Sequence, residues 1–234
     1  MSIEKSSFVT AVILAAGVGS RMRSPITKQR MVICGESVLK RCVRTFDECS
    51  MIDAVVVVCR EDERKFASEE TREFKKVLSI VNGGNTRAES ARKGFEAIPE
   101  KSDFVAIHDA VRCLVTVDMI ESVVAAAFEN GAATAAKKIT DSVKRVDSNG
   151  IILESVPRDD LFAMQTPQVF RTSDYSLGLS LSHDDATITD DNMIVERVGV
   201  SVRCVECGSD NIKITTPEDI VYAKFIIKRR NGDG

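Results

Sequence analysis

Histidine is almost missing from this chain: only His108 and His183 occur among 234 residues. That scarcity excludes a histidine-rich metal centre. A Ser-His-Asp hydrolase would need one of the two beside a strained G-x-S-x-G turn, which does not occur. No apolar run reaches membrane-spanning length, and the opening MSIEKSSF lacks the apolar core of a signal peptide, so no membrane association and a cytoplasmic location are expected. Charge of one sign is not in excess either: Lys+Arg 32 against Asp+Glu 35 gives a net charge of -3. No global basic field draws in nucleic acid, and any anion must be held by local cations. The seven cysteines are an odd, scattered set, as expected of thiols in a reducing compartment. Cys204 and Cys207 form a C-x-x-C, but no second pair completes a zinc site.

What is present is an alternation of strand-like and helix-like segments. Apolar runs at 9–15, 54–59, 78–82, 103–107 and 132–139 read as strands buried on both faces, and amphipathic segments near 37–47, 61–75, 87–98 and 117–130 read as the helices between them. This rhythm predicts an α/β fold, a mostly parallel sheet with helices on both sides, whose ligands gather at the carboxyl ends of the strands. After residue 140 the rhythm breaks. Residues 143–156, VKRVDSNGIILESV, read as a hairpin around Asn149-Gly150, and a lone hairpin is marginal in water unless it packs on something else. A second copy of the chain is the economical candidate. TTPEDI (215–220) opens a last helix with Thr216 as cap and Pro217 in the first turn, and KRR (228–230) closes it. The expected organisation is one domain over 1–234 with an arm at about 140–160.

Four stretches carry chemistry. In VTAVILAAGVGSRM (9–22), Gly17 and Gly19 begin a G-x-G-x-x-G turn whose third position is Met22, and Arg21 supplies a cation. A tight strand-to-helix turn is the simpler alternative for the glycines. Lys28 follows seven residues after Arg21, although the Walker spacing is absent, and a triphosphate would need both backbone donors and such cations. In GGNTRAESARKG (83–94), Gly83 and Gly84 allow close backbone approach, and Arg87 and Ser90 lie one helical turn apart, facing one pocket that suits a nucleobase. A helix start capped by Asn85 is the simpler alternative. HDAVRC (108–113) puts Asp109 at a strand's carboxyl end, a frequent magnesium position, with Arg112 close enough to take a second anion; the alternative is that Asp109 caps the following turn.

Taken in order, LAAGVGSRM, the lysine of KQRM, GGNTRAESA, HDAVRC, DSVKRV, VPRDDLFAMQTPQVF, TDDNMIVE and DNIKITTPEDI resemble the 2-C-methyl-D-erythritol 4-phosphate cytidylyltransferase family from about residue 9 to residue 227. The resemblance implies a Rossmann-like nucleotidyltransferase fold with a β-arm that reaches a partner subunit in a homodimer. It implies transfer of CMP from CTP to a sugar-alcohol phosphate, with Mg2+ or another divalent cation present, in isoprenoid biosynthesis by the non-mevalonate pathway. Carried over to this sequence, Arg21, Lys28 and Lys213 are the catalytic cations. Ala15, Ala16, Gly17, Gly19, Gly83, Gly84, Ser90 and Asp109 hold the nucleotide. Asp109, Arg112, Ser142, Arg158 and Thr166 meet the second substrate, and Asp109 holds the metal.

Three positions depart from the family pattern. Ser142 replaces a threonine and keeps the hydroxyl, Arg30 follows the Lys28-Gln29 pair and is expected to add charge near the phosphates, and Cys113 stands where a proline fixes the turn. Rival readings are a cytidylyltransferase for ribitol 5-phosphate or another polyol phosphate, a nicotinamide-dependent oxidoreductase and a non-catalytic nucleotide-binding regulator. The oxidoreductase needs an acid about twenty residues beyond the loop, at the end of the second strand, to hold a ribose. Here that strand ends later, at Cys59-Arg60.

Overall fold

A computed structural model of the chain describes residues 7–17, 26–182 and 188–232. Gly19, Arg21, Met22 and His183 lie outside the described residues. The strands are β1 (Val9–Leu14), β2 (Val32–Ile33), β3 (Glu36–Ser37), β4 (Ala54–Cys59), β5 (Val77–Asn82), β6 (Phe104–Asp109), β7 (Ala132–Lys138), β8 (Val143–Val146), β9 (Ile152–Val156), β10 (Phe162–Arg171) and β11 (Arg203–Glu206). The helices are α1 (Val38–Glu48), α2 (Arg64–Thr71), α3 (Arg87–Phe95), α4 (Val117–Asn130), α5 (Thr172–Ser180), α6 (Asn192–Glu196) and α7 (Pro217–Asn231).

Seven strands form one sheet in the order β11-β7-β10-β6-β1-β4-β5. Only β10 runs antiparallel to its neighbours, so the sheet is mostly parallel, as the sequence rhythm predicts. Every residue of β1, β4 and β6 is buried, and their side chains alternate between two cores. Ala11, Ile13, Val55 and Val57 pack in the layer that holds α1, α4 and α7, while Val12, Leu14, Val56 and Val58 pack beneath α3, α5 and α6. Each fully buried aliphatic side chain of this kind contributes about 1.5–3 kcal/mol. The edge strand β5 departs from the expectation of two-sided burial: Leu78 is exposed because no strand lies beyond it.

The helix limits follow their caps. Thr116 accepts from Met119 N–H to open α4, and Gly131, at φ +85°, closes it by donating to the Ala127 carbonyl. Thr216 and Asp219 form a reciprocal box around the first turn of α7, with Pro217 in place and the KRR cations in the last turn, as expected. Two expectations are corrected. The cap of α3 is Thr86, which accepts from Glu89 N–H, rather than Asn85. The stretch 61–75 is not one helix but a 3-10 turn (Glu61–Glu63) followed by α2, which stops at Thr71.

β8 and β9 pair with each other in a separate two-stranded ribbon, outside the main sheet. Asp147 accepts from the N–H groups of Asn149 and Ile151, and Gly150 takes φ +81°, so the Asn-Gly signal marks the turn correctly.

Candidate active site

The carboxyl ends of β1, β4, β5 and β6 meet at one rim. Ala15 N–H donates to the Val58 carbonyl and Gly83 N–H to the Cys59 carbonyl, which joins the ends of neighbouring strands. Above them opens a cleft of about 510 Å³, lined by Ala16, Gly17, Lys28, Gln29, Gly84, Arg87, Ser90, Asp109 and Lys213 among others. That size suits a small organic ligand. Gly83 must be glycine for a packing reason: a Cβ there would stand 2.5 Å from the Ala16 Cβ and 2.9 Å from the Ser90 Oγ. The Ser90 hydroxyl accepts from Gly84 N–H at 3.1 Å and donates to the Thr86 carbonyl at 2.9 Å, which fixes the turn against α3.

Two lysines face the cleft from distant parts of the chain. Lys28 is buried, and its Nζ donates to the carbonyls of Ile214 and Thr215, both at 3.2 Å. It therefore also pins the segment leading into α7. Beside it, Gln29 donates to the carbonyls of Ala15 (2.6 Å) and Gly17 (3.1 Å) and so holds the start of the glycine turn. Lys213 Nζ donates to Asp109 Oδ2 at 2.7 Å. Arg87 Nε donates to the other oxygen of the same carboxylate at 3.0 Å, and its Nη1 to Asp191 Oδ2 at 2.6 Å.

These pairings set the charge states. Burial opposes ionisation of Asp109, but Arg87 and then Lys213 outweigh it and hold the carboxyl well below the usual carboxylate range. Burial likewise opposes the charge on Arg87, yet Asp191 and Asp109 keep it cationic. His108 is fully buried against Phe46, and burial pushes it down to about 3, so it is neutral at physiological pH. Its Nδ1 meets the Thr166 Oγ1 at 3.0 Å, and the same oxygen accepts from Asp109 N–H. Thr166 thus stands behind Asp109 and supports its backbone.

Other expected site residues are placed differently. The Arg112 guanidinium is turned to the carbonyls of Asn211 (2.8 Å) and Met164 (3.3 Å) and is absent from the cleft lining. Ser142 and Arg158 lie exposed beside the arm, Arg158 donating to the Thr140 carbonyl, and neither lines the cleft of its own chain. Arg30 does not add charge near the phosphates: it pairs with Glu63 at 2.8 Å and stacks over Phe66 at 4.5 Å. Cys113 sits in the core, where burial pushes its thiol up to about 12. Asp109, expected to hold a metal, has both oxygens engaged by cations. Among the described residues no group of three His, Cys, Asp or Glu side chains could hold an ion.

Asp191, Tyr175 and Gln168 escaped the sequence reading altogether. The signals were Asp191's place in TDDNMIVE and Gln168's in VPRDDLFAMQTPQVF, but neither points to a partner, since Arg87 is 104 residues from Asp191.

A backbone-lined cleft flanked by lysines, at the carboxyl rim of a mostly parallel sheet, defines a nucleotidyltransferase-like α/β protein. Residues 9–229 match the family model described as 2-C-methyl-D-erythritol 4-phosphate cytidylyltransferase, and the chain belongs to that family. Curated relatives of that name include one from Geobacter metallireducens, 39% identical over 95% of this chain and 98% of its own, and one from Alkaliphilus oremlandii, 35% identical over 97% and 98%. Among solved structures, 4-diphosphocytidyl-2C-methyl-D-erythritol synthase from Anaerococcus prevotii superposes with a TM-score of 0.84 at 28% identity, covering 95% of this chain and 96% of its own. The Francisella tularensis cytidylyltransferase does so at 0.78 and 28%, covering 94% and 99%. The chain is therefore an enzyme of isoprenoid biosynthesis that places a cytidylyl group on 2-C-methyl-D-erythritol 4-phosphate, and the ribitol 5-phosphate alternative falls away.

Proposed function

We propose that the reaction runs in the cleft at the carboxyl rim, with CTP as donor. A phosphate oxygen of methylerythritol phosphate attacks the α-phosphorus of CTP. The bond from that phosphorus to the bridging oxygen breaks, and pyrophosphate leaves with the electron pair. The observation that carries this reading is that Lys28, Lys213, the Ala16-Gly17 backbone, Gly84 and Ser90 all line one cleft. Lysine and backbone donors oppose the charge that builds on the phosphates, and the Gly83-Gly84 turn with Ser90 takes the cytosine. Arg21, outside the described residues, is kept as a further phosphate contact on the family resemblance alone. A divalent cation such as magnesium travels with the triphosphate as part of the substrate, since Asp109 is held by Arg87 and Lys213. Asp109 then borders the acceptor phosphate, with Thr166 supporting it from behind rather than meeting the substrate itself.

The arm completes the assembly. Ile151, Ile152 and Leu153 are each at least 60% exposed, with neighbouring side chains on opposite faces of the ribbon, and a second copy would cover one of those apolar faces. In the homodimer Ser142, Arg158 and, after reorientation, Arg112 reach the acceptor substrate. A cytoplasmic location accords with seven unpaired cysteines. No helix among the described residues is long and apolar enough to cross a membrane.

The test is direct: with CTP, Mg2+ and methylerythritol phosphate the protein releases pyrophosphate and forms a cytidine diphosphate ester. Equal turnover with ribitol 5-phosphate would contradict the assigned acceptor, and CTP binding without pyrophosphate release would leave a regulator.

A further inference from the structure

The catalytic lysine and carboxylate of the cleft stand at one end of a chain of buried contacts that the reaction does not itself require. Asp191 is 1% exposed and immediately precedes α6. An aspartate in that position ordinarily caps the helix with its carboxylate, yet here no side-chain cap bond forms. Both oxygens point elsewhere: Oδ1 accepts from the Tyr175 hydroxyl and Oδ2 from Arg87 Nη1, each at 2.6 Å. Asp191's own N–H donates to the side chain of Gln168, also buried. Tyr175 is locked in turn, stacked on Phe170 at 5.3 Å and edge-on to Phe95 at 5.0 Å. From Arg87 the contacts continue to Asp109 Oδ1 and from Asp109 Oδ2 to Lys213.

We infer that Asp191, steadied by Tyr175, is a positioning residue that divides Arg87 between two carboxylates and thereby leaves one oxygen of Asp109 to aim Lys213 into the cleft. An arginine can fork onto a single carboxylate and take both its oxygens. Without Asp191 that is the arrangement open to Arg87, and Lys213 loses its partner. Charge points the same way. Asp191, Arg87, Asp109 and Lys213 sum to zero, so this group orients Lys213 without adding net charge to that which Lys28 brings to the cleft. Neutralising Asp191 adds one positive charge beside an anion site, which favours ground-state binding of the nucleotide while the aim of Lys213 is lost. Uniform binding of this kind does not raise turnover.

The inference rests on the cytidylyl transfer proposed for this cleft, and a double-mutant cycle separates the two. In the unmodified protein, Asp191→Asn is expected to lower kcat about tenfold while KM for CTP stays equal or falls. In a Lys213→Ala background the same change is expected to cost less than about twofold, because the group it aims is gone. Tyr175→Phe keeps the aromatic packing and removes only the hydroxyl; it serves if Asp191→Asn does not fold, with a loss of about threefold in kcat that also vanishes in the Lys213→Ala background. Equal fold-losses in both backgrounds, or a rise in KM with kcat unchanged, would overturn the positioning role while leaving the activity intact. Absence of pyrophosphate release from the unmodified protein would overturn both.

Discussion

The cleft and the arm are built on opposite principles. At the cleft, Lys28, Ser90, Asp109, Asp191 and His108 are all less than a tenth exposed, and their partners come from segments up to 187 residues apart. On the arm, β8 and β9 bond only to each other, the Arg145–Glu154 pair is exposed on both sides, and the apolar side chains face outward. Exposed ion pairs contribute about 0–1 kcal/mol, whereas removing one partner of a buried pair costs about 3–5 kcal/mol. The described part of the cleft is thus held by buried pairings within a single chain. The proposed homodimer is what would give the arm its purpose.

The largest expected break in that contrast is at the lysines. Lys213→Ala should lower kcat about a hundredfold, or about 3 kcal/mol, with a smaller change in CTP affinity, read by steady-state kinetics and titration calorimetry. Lys28→Ala should do the same and also lower the melting temperature, because the carbonyls of Ile214 and Thr215 lose a buried donor. A near-normal kcat in either variant removes that lysine from the mechanism.

Next in size is an acid limb. The unfolded chain protonates His108 near 6.5 and the folded chain only near 3, so between those values the unfolded state binds the extra proton and stability falls as pH falls. Denaturant melts should show this residue contributing a loss of about 2 kcal/mol between pH 8 and pH 5. His108→Asn should lack that component, whatever its absolute stability. An unchanged slope would mean that His108 titrates in the fold as it does in the unfolded chain.

Smaller still is Gly83→Ala, whose new methyl meets Ala16 at 2.5 Å and should weaken CTP binding about tenfold, measured by calorimetry. Smallest is Ile152→Lys on the arm, expected to move chain stability by less than about 0.5 kcal/mol while shifting sedimentation from dimer to monomer. A large loss of stability there would erase the distinction between the two regions.

The same contrast governs what could be read from the sequence. β1, β4 and α4 follow from local periodicity and caps such as Thr116 and Gly131, and the arm from Asn149-Gly150, because each signal lies within one element. β10 was not legible. Pro167 falls inside it, and proline ordinarily argues against an interior strand; here the pairing register breaks between Met164 and Gln168, so the ring interrupts no regular ladder. The motifs around Lys28, Ser90 and Asp109 mark residues that do line one cleft, but the partners Arg87 to Asp191 and Lys28 to Ile214 are long-range and carry no local periodicity. Arg30 shows the converse: adjacent to the lysine in sequence, it turns away to Glu63 and Phe66.

Crystals of the protein grown with CTP and Mg2+ offer the most direct measurement. The triphosphate should lie along Ala16-Gly17 between Lys28 and Lys213, with the cytosine against Gly84 and Ser90. Density for the nucleotide outside this cleft, or a cleft without it at saturating CTP, would contradict the account.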